Sequence, residues 1–257
     1  MITKLDIFDP LLLELFAEVD VVLKNFNLDY FLIGAIARDI QLSSKTAFAA
    51  KRKTNDIDIA VLIDSEDLYH EITTALIATG NFEASDHNPI KFIYNKSIEL
   101  DLLPFGAIED EERILHLNKG ILSMDMNGFK EVYPFVQIHS MGANLELKVC
   151  SLEGLVLLKL ISNHDNPSRT KDLTDIEHLV EVYFELNTED IYNNYLALMD
   201  MYQTPYVNYL PLVSARVIGR KMNGLINDTV GAKENITRIL SRRQTEIWQA
   251  MLDGLND

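Results

Sequence analysis

Cysteine is nearly absent from this sequence: Cys150 is the only one in 257 residues. That excludes a disulfide framework and any multi-cysteine zinc or iron–sulfur site. Cys150 also has no histidine or basic neighbour in sequence to activate it, so a nucleophilic role is not expected. Long apolar runs are missing too. Stretches such as Leu155-Val156-Leu157-Leu158 fall far short of the roughly 18 residues that a membrane span requires. Met1 to Pro10 carries acids and lacks the basic-then-apolar shape of a signal peptide, so a cytoplasmic protein with no membrane partner is expected. Neither a Gly-x-x-x-x-Gly-Lys phosphate loop nor a Gly-x-Gly-x-x-Gly fingerprint occurs. Positive charge is scarce: 23 Lys and Arg face 39 Asp and Glu, for a formal net charge of −16. Such a chain repels nucleic acid on average. Residues 205–257 run the other way, with seven bases against five acids (+2), which leaves −18 for the rest. A polyanion could dock there, and a solvated helical face explains the same charges.

What is present fits a globular chain, 47% hydrophobic and 24% charged. At this length about 70–75% of the unfolded surface can be buried, in one large domain or two modest ones. The first half reads as α/β. Asp9-Pro10 starts a helix, and Leu12, Leu15, Phe16, Val19, Val22 and Leu23 recur at helical spacing. Tyr30 to Ile33 is a strand ending at Gly34, and Ile36 to Leu42 a helix after the turn. A polar, basic loop, Ser43 to Asn55, contains Lys51-Arg52-Lys53. Ile57 to Leu62 forms a second strand, and Ser65 caps a helix to about Thr79. Lys91 to Asn95 and Ile98 to Leu103 are strands joined at Lys96-Ser97, with Pro104 closing the second. Val132 to His139 is the last strand expected. From Ser151 onward helical periodicity takes over, in Leu152–Ile161, Leu173–Tyr183, Ile191–Met201, Val207–Ile226 and Ile236–Leu252. His164-Asp165 falls in an expected polar loop with no second histidine cluster nearby, which argues against a metal-phosphohydrolase pair.

The chemistry concentrates in Asp56-Ile57-Asp58. Residues two apart on a strand point to one face, so the two carboxylates stand side by side. Alone, that pair is a weak motif, since a surface Asp-x-Asp of no consequence is the more frequent case. Glu99 and Asp101 repeat the spacing on a later strand. If the strands are neighbours, Asp101 completes a three-carboxylate set. Such a set suits two magnesium ions roughly 3.5–4 Å apart, the geometry for in-line displacement at phosphorus. Upstream, Ile33-Gly34-Ala35 leads from a strand into a helix, where backbone N–H groups can approach an anionic phosphate.

These segments resemble a known family. Phe31-Leu32-Ile33-Gly34-Ala35-Ile36-Ala37-Arg38-Asp39, followed by Arg52-Lys53-Thr54-Asn55-Asp56-Ile57-Asp58-Ile59-Ala60-Val61, is similar to the active-site signature of the DNA polymerase β-type nucleotidyltransferases. The Ala-Arg-Asp step is also similar to that of the tRNA CCA-adding enzymes. A closer resemblance is to the AbiEii-type abortive-infection toxins, through Leu102-Leu103-Pro104-Phe105-Gly106, Asn127-Gly128-Phe129-Lys130-Glu131, Leu157-Leu158-Lys159-Leu160 and Arg169-Thr170-Lys171-Asp172-Leu173-Thr174-Asp175-Ile176. It covers roughly residues 28–183, with only Ala215-Arg216 and Gly219-Arg220 beyond.

The resemblance implies an α/β nucleotidyltransferase domain with a mixed sheet and flanking helices, residues 1–147, followed by an all-helical domain, residues 148–257. It implies that Asp56, Asp58 and Asp101 hold two Mg2+ ions and that Asp101 helps to deprotonate an attacking hydroxyl. Gly34 and Ala35 would seat the phosphates of a nucleoside triphosphate (NTP). Ala35 departs from the Gly or Ser more usual there, which removes a hydroxyl donor but leaves the backbone amides. Lys159 and Asp172 match a phosphate-contacting lysine and an essential acid; Arg38, Arg169 and Lys171 are further phosphate contacts. On the residues alone, Lys159 could equally reach solvent over a buried face, and Arg169 to Asp175 could be a solvated helix start. The implied activity is nucleotidyl transfer from an NTP to an acceptor hydroxyl, with an RNA such as the tRNA 3′ end as acceptor and a cognate antitoxin as partner. The alternative is a non-catalytic nucleotide-binding or regulatory protein that keeps the fold.

Overall fold

The computed structural model describes residues 10–45, 56–118, 120–142, 145–202 and 208–257. Asp9 and the basic stretch Lys51-Arg52-Lys53 lie outside the described residues. The chain divides into two compact units, Met1–Ser151 and Leu152–Asp257.

The first unit is built on a mixed sheet. In chain order its elements are α1 (Pro10–Asn25), β1 (Tyr30–Ile33), α2 (Gly34–Lys45), β2 (Asp56–Leu62), α3 (Glu66–Ala78), β3 (Phe82–Ala84), β4 (Lys91–Tyr94) and β5 (Ile98–Phe105). There follow β6 (Ile114–Leu117), β7 (Leu122–Asp125), the single turn α4 (Phe129–Val132), β8 (Gln137–Ser140) and β9 (Glu146–Val149). Seven strands form one sheet in the order β3-β4-β5-β2-β1-β9-β8, and β6 and β7 form a separate hairpin. β2 runs parallel to β5 and β1 parallel to β9; the other neighbours are antiparallel. Phe31, Leu32, Ile59, Val61, Leu100 and Leu102 are fully buried and make the centre of the core.

Several expectations hold and several need correction. Ser65 does cap α3, accepting from the Leu68 amide at 3.3 Å. Pro104 does not end its strand. β5 continues to Phe105, with Val61 opposite Pro104. Leu102 N donates to Ile90 O. The ring nitrogen of Pro104, two residues on, faces the same side but lies beyond the end of β4, so no donor is missed there. The strand expected over Val132–His139 is instead a helical turn, a 3-10 turn (Tyr133–Phe135) and then β8. β3, β6, β7 and β9 were not anticipated, and β9 follows the last strand expected. Cys150 N donates to Leu32 O just beyond the β1–β9 pairing, so the sheet reaches almost to Ser151.

Among its described residues the second unit is helical: α5 (Leu152–Asp165), α6 (Thr170–Leu186), α7 (Thr188–Asn194), α8 (Leu196–Met199), α9 (Tyr209–Ile226), α10 (Ala232–Ser241) and α11 (Glu246–Asn256). His164 and Asp165 are the last residues of α5 rather than a loop. The run expected over Ile236–Leu252 breaks into α10 and α11. α9 and α11 meet through reciprocal glycines. A Cβ on Gly219 would lie 2.0 Å from Met251 O, and one on Gly254 would lie 2.0 Å from Arg216 O. Both obstacles are backbone and cannot swing aside. No helix among the described residues is long and apolar enough to cross a membrane.

The glycine crossing gives a test with an internal control. Gly219→Ala is expected to destabilise the protein by about 1–3 kcal/mol, the usual cost of overpacking a tight contact. Gly224→Ala lies on the same helix, where a Cβ meets nothing within 4 Å; it should stabilise by about 0.5–1 kcal/mol, the helix preference for Ala over Gly. Urea unfolding of both variants reads the sign directly.

Candidate active site

The register of two parallel strands creates the site. Asp56 stands opposite Glu99, and Asp58 opposite Asp101, on β2 and β5. Neighbouring strands lie about 4.8 Å apart, so all four carboxylates project from one patch of one sheet face. The alternate residues Ile57, Ile59, Leu100 and Leu102 are buried against the opposite face. The alternation therefore fixes which face is acidic: slipping either strand by one residue would send its acids into the core.

Gly34 closes the patch on its other side. β1 pairs antiparallel with β2, Ile33 opposite Asp58, and the chain then turns into α2 at Gly34. Gly34 has φ +67°, and a Cβ there would lie 2.0 Å from Asp58 Oδ2. The sequence suggests glycine for phosphate approach; the structure adds a requirement inside the protein itself, room for the Asp58 carboxylate. Ala35 follows within the first turn of α2.

Asp101 is held differently from its neighbours. Burial pushes its carboxyl above the usual range; Lys91 opposes that rise, while Glu99 and Asp56 add to it by repulsion. Its Oδ1 is buried with no hydrogen-bond partner. Among the described residues Lys91 Nζ lies 3.6 Å from it, beyond hydrogen-bond range. Lys91 lies on β4, directly opposite Asp101, and bonds to Glu99. The Tyr69 hydroxyl, from α3, lies 3.1 Å from the carbonyl oxygens of both Pro89 and Leu102, which pins β5 next to Asp101. Burial raises that phenol well above its ordinary value, so it stays protonated.

An orphaned carboxylate oxygen within an all-oxygen donor set is the chemistry a hard divalent cation fits. As the side chains lie, no group of three His, Cys, Asp or Glu among the described residues is drawn together around one point. The fit therefore rests on register, and Asp101 must turn from Lys91 toward Asp58 to realise it.

The remaining expected residues fall elsewhere. Arg38 is buried on α2, its Nε and a terminal nitrogen both 2.9 Å from Asp39 Oδ1. Lys159, Arg169, Lys171 and Asp172 belong to the second unit. There Lys159 Nζ sits 3.1 Å from Asp172 Oδ1 and 2.7 Å from Asp175 Oδ2, so it does not simply run out to water. Arg169 Nε is 2.8 Å from the other Asp172 oxygen, while Lys171 is exposed. Asp172 is only 4% exposed, which makes its two cationic partners necessary. Asp175, Lys91 and Tyr69 were not singled out from the sequence. Counting from a two-residue turn at Lys96-Ser97 would set Phe92 opposite Asp101; the turn instead spans Asn95 to Ser97, and that one-residue shift brings Lys91 there.

Gly34 supplies the sharpest test of this geometry. Gly34→Ala should cost about 1–2 kcal/mol from the left-handed backbone alone, and should displace the Asp58 carboxylate. A crystal structure of the variant and its urea midpoint check both; an unmoved Asp58 would contradict the steric account.

Three comparisons place the chain among known proteins. The family profile described as "Nucleotidyl transferase AbiEii toxin, Type IV TA system" matches residues 34–256. No curated protein matches. Among solved structures, the antibiotic-resistance factor ANT(2'')-Ia in solution is 14% identical, covering 83% of this chain and 95% of its own, at a TM-score of 0.41. A crystal structure of ANT(2'')-Ia with adenylyl-2''-tobramycin is 15% identical, covering 64% and 85%, at 0.37. An antigenic nucleotidyltransferase-like protein from Paracoccidioides brasiliensis is 14% identical, covering 94% and 91%, at 0.45. Likenesses this distant carry no argument about this chain. The family match is of another order, for it runs from the Gly34 turn through both units to the end of the last helix, and the protein belongs to the AbiEii nucleotidyltransferase toxin family.

Proposed function

We propose that the protein carries out magnesium-dependent transfer of a nucleotidyl group from an NTP to a hydroxyl of RNA, the tRNA 3′ end being the favoured acceptor, in the cytoplasm and under the restraint of a cognate antitoxin. The observation that carries this reading is the strand register: Asp58 beside Asp101, with Asp56 two residues along and Gly34 opening a helix next to them. On this reading residues 1–147, extended by β9, form the nucleotidyltransferase domain and the remainder a helical domain.

Asp56 and Asp58 would hold the divalent cations, with Asp101 completing the set. When bound, such ions offset the triphosphate charge and stabilise the charge that develops at phosphorus. Backbone amides at Gly34 and Ala35 would hold the phosphates at the N-terminus of α2. Asp101 would accept the proton of the acceptor hydroxyl. The freed oxygen attacks the α-phosphorus, the bond to the bridging oxygen breaks, and pyrophosphate leaves. Positioning and electrostatics account for the rate, as this chemistry needs no covalent enzyme intermediate. Lys159 and Asp172 would take the roles the family resemblance gives them, a phosphate-contacting lysine and an essential acid. The basic residues of 205–257 would offset the overall acidity that disfavours RNA.

Incubating the protein with labelled NTPs, Mg2+ and total cellular RNA tests the proposal. Wild type should label RNA in the tRNA size range, and Asp56→Ala should lower the yield on the order of a hundredfold or more, as expected for loss of a group that stabilises transition-state charge. Label carried by a protein or small molecule would move the acceptor elsewhere. Equal labelling by both forms would overturn the assignment of Asp56, and NTP binding without any transfer would favour a non-catalytic nucleotide-binding protein.

A further inference from the structure

Lys91 has no part in the mechanism above, yet among the described residues it is the cation paired with both Glu99 and Asp101. It projects from β4 opposite Asp101 on β5, where Tyr94 and Ile98 flank the tight turn that sets the register. Asn95 and Lys96 in that turn both adopt positive φ, 44° and 58°, which suits the twist of a hairpin. The position of Lys91 is thus built into the hairpin. Its ammonium bonds to Glu99 and lies 3.6 Å from Asp101 Oδ1. Glu99 is the outer partner, 44% exposed at its side chain; Asp101 is the inner one, at 28%. The bond to Glu99 is also the main reason the Lys91 amine holds its proton more firmly than usual.

Four carboxylates on one sheet face repel one another, and one ammonium shared between two of them relieves part of that cost. The same ammonium opposes any further cation entering beside Asp101. We infer that Lys91 is a positioning residue of the acid face, a monovalent stand-in that occupies Asp101 until a divalent cation arrives, and that Glu99 is the acid that retains Lys91 when Asp101 turns away. The inference rests on the reading of this face as a divalent-cation site. Glu99 thereby gains a role distinct from the other three acids: it opposes Asp56 in register, yet it serves the lysine.

Two substitutions should act in opposite directions. Lys91→Met removes the competing charge while keeping the length of the side chain. It should tighten Mn2+ binding on the order of tenfold, the scale expected for one charge a few ångströms from a divalent ion at a partly exposed site. Glu99→Gln strands Lys91 on Asp101 and should weaken binding by a similar factor. In the Lys91→Met background the Glu99→Gln effect should shrink several-fold, because the lysine it retained is gone. Lys91→Arg keeps the charge and should bind as wild type does. The readout is free Mn2+ by electron paramagnetic resonance during titration of the full-length protein, with circular dichroism confirming that each variant is folded. Unchanged or weaker binding by Lys91→Met, or an equal Glu99→Gln effect in both backgrounds, would overturn the inference. Asp58→Ala separates the two levels. Mn2+ binding lost in Asp58→Ala but unaltered in Lys91→Met sinks the lysine role alone, whereas wild type that binds no Mn2+ sinks the cation site and the lysine role together.

Discussion

Like charges crowded onto one face of a sheet are the constraint around which the first unit is arranged. The β2–β5 register sets Asp56, Glu99, Asp58 and Asp101 in two adjacent rows, and nothing in a β-ladder relieves their repulsion. Such an arrangement costs stability unless positive charge joins it. The surrounding structure supplies restraint on three sides. Apolar residues behind the acids hold the strands in register. Gly34 leaves the space that Asp58 occupies, and Lys91 supplies an ammonium beside Glu99 and Asp101. Folding sets the acids in adjacent rows, so part of the cost of bringing them together is met by the sheet itself.

The second unit handles charge in the opposite way. Lys159 lies between Asp172 and Asp175, and Asp172 also receives Arg169, so the acids there are matched by cations within the unit. Lys221 repeats the pattern among Glu153, Asp190 and two tyrosine rings. Removing one partner of a buried pair of this kind leaves a charge without compensation. A substitution at Lys159 therefore changes both a candidate phosphate contact and the surroundings of Asp172, and loss of activity alone would not separate the two.

The candidate site was more legible in the sequence than the fold around it. Asp56-Ile57-Asp58 and Glu99-Leu100-Asp101 announce themselves because period-two alternation places acids on one face and apolar residues on the other. Their adjacency was beyond local pattern. It depends on β2 and β5 being parallel neighbours across α3, β3 and β4, and no short-range signal reports that. The strands that escaped notice are short, three or four residues each, and too brief for alternation to register. β9, Glu146-Leu147-Lys148-Val149, has the right alternation but sits where the composition turns toward helix. Pro104 misled for a specific reason: its missing donor matters only where a neighbouring strand is present, and β4 has already ended.

Two of the segments that carry the family resemblance prove to be supports for the strand that bears Asp101. Gly106 N donates to Glu109 Oε1, and Gly128 N donates to Glu131 Oε2. Arg113 bridges the two acids, 2.6 Å from Glu109 and 3.0 Å from Glu131, and Lys130 adds a contact to Glu109 at 3.0 Å. The Glu109 side chain has no exposed surface, so each of those bonds offsets a desolvation cost. Gly106 follows β5 directly with φ +119°, and the network fixes the chain where it leaves the sheet. Leu102-Leu103-Pro104-Phe105-Gly106 and Asn127-Gly128-Phe129-Lys130-Glu131 are thus one structural device in two pieces, joined through Arg113. A resemblance in sequence gives them the same weight as Asp56-Ile57-Asp58. Their hydrogen bonds separate the residues that set the strand from those the strand presents to a ligand.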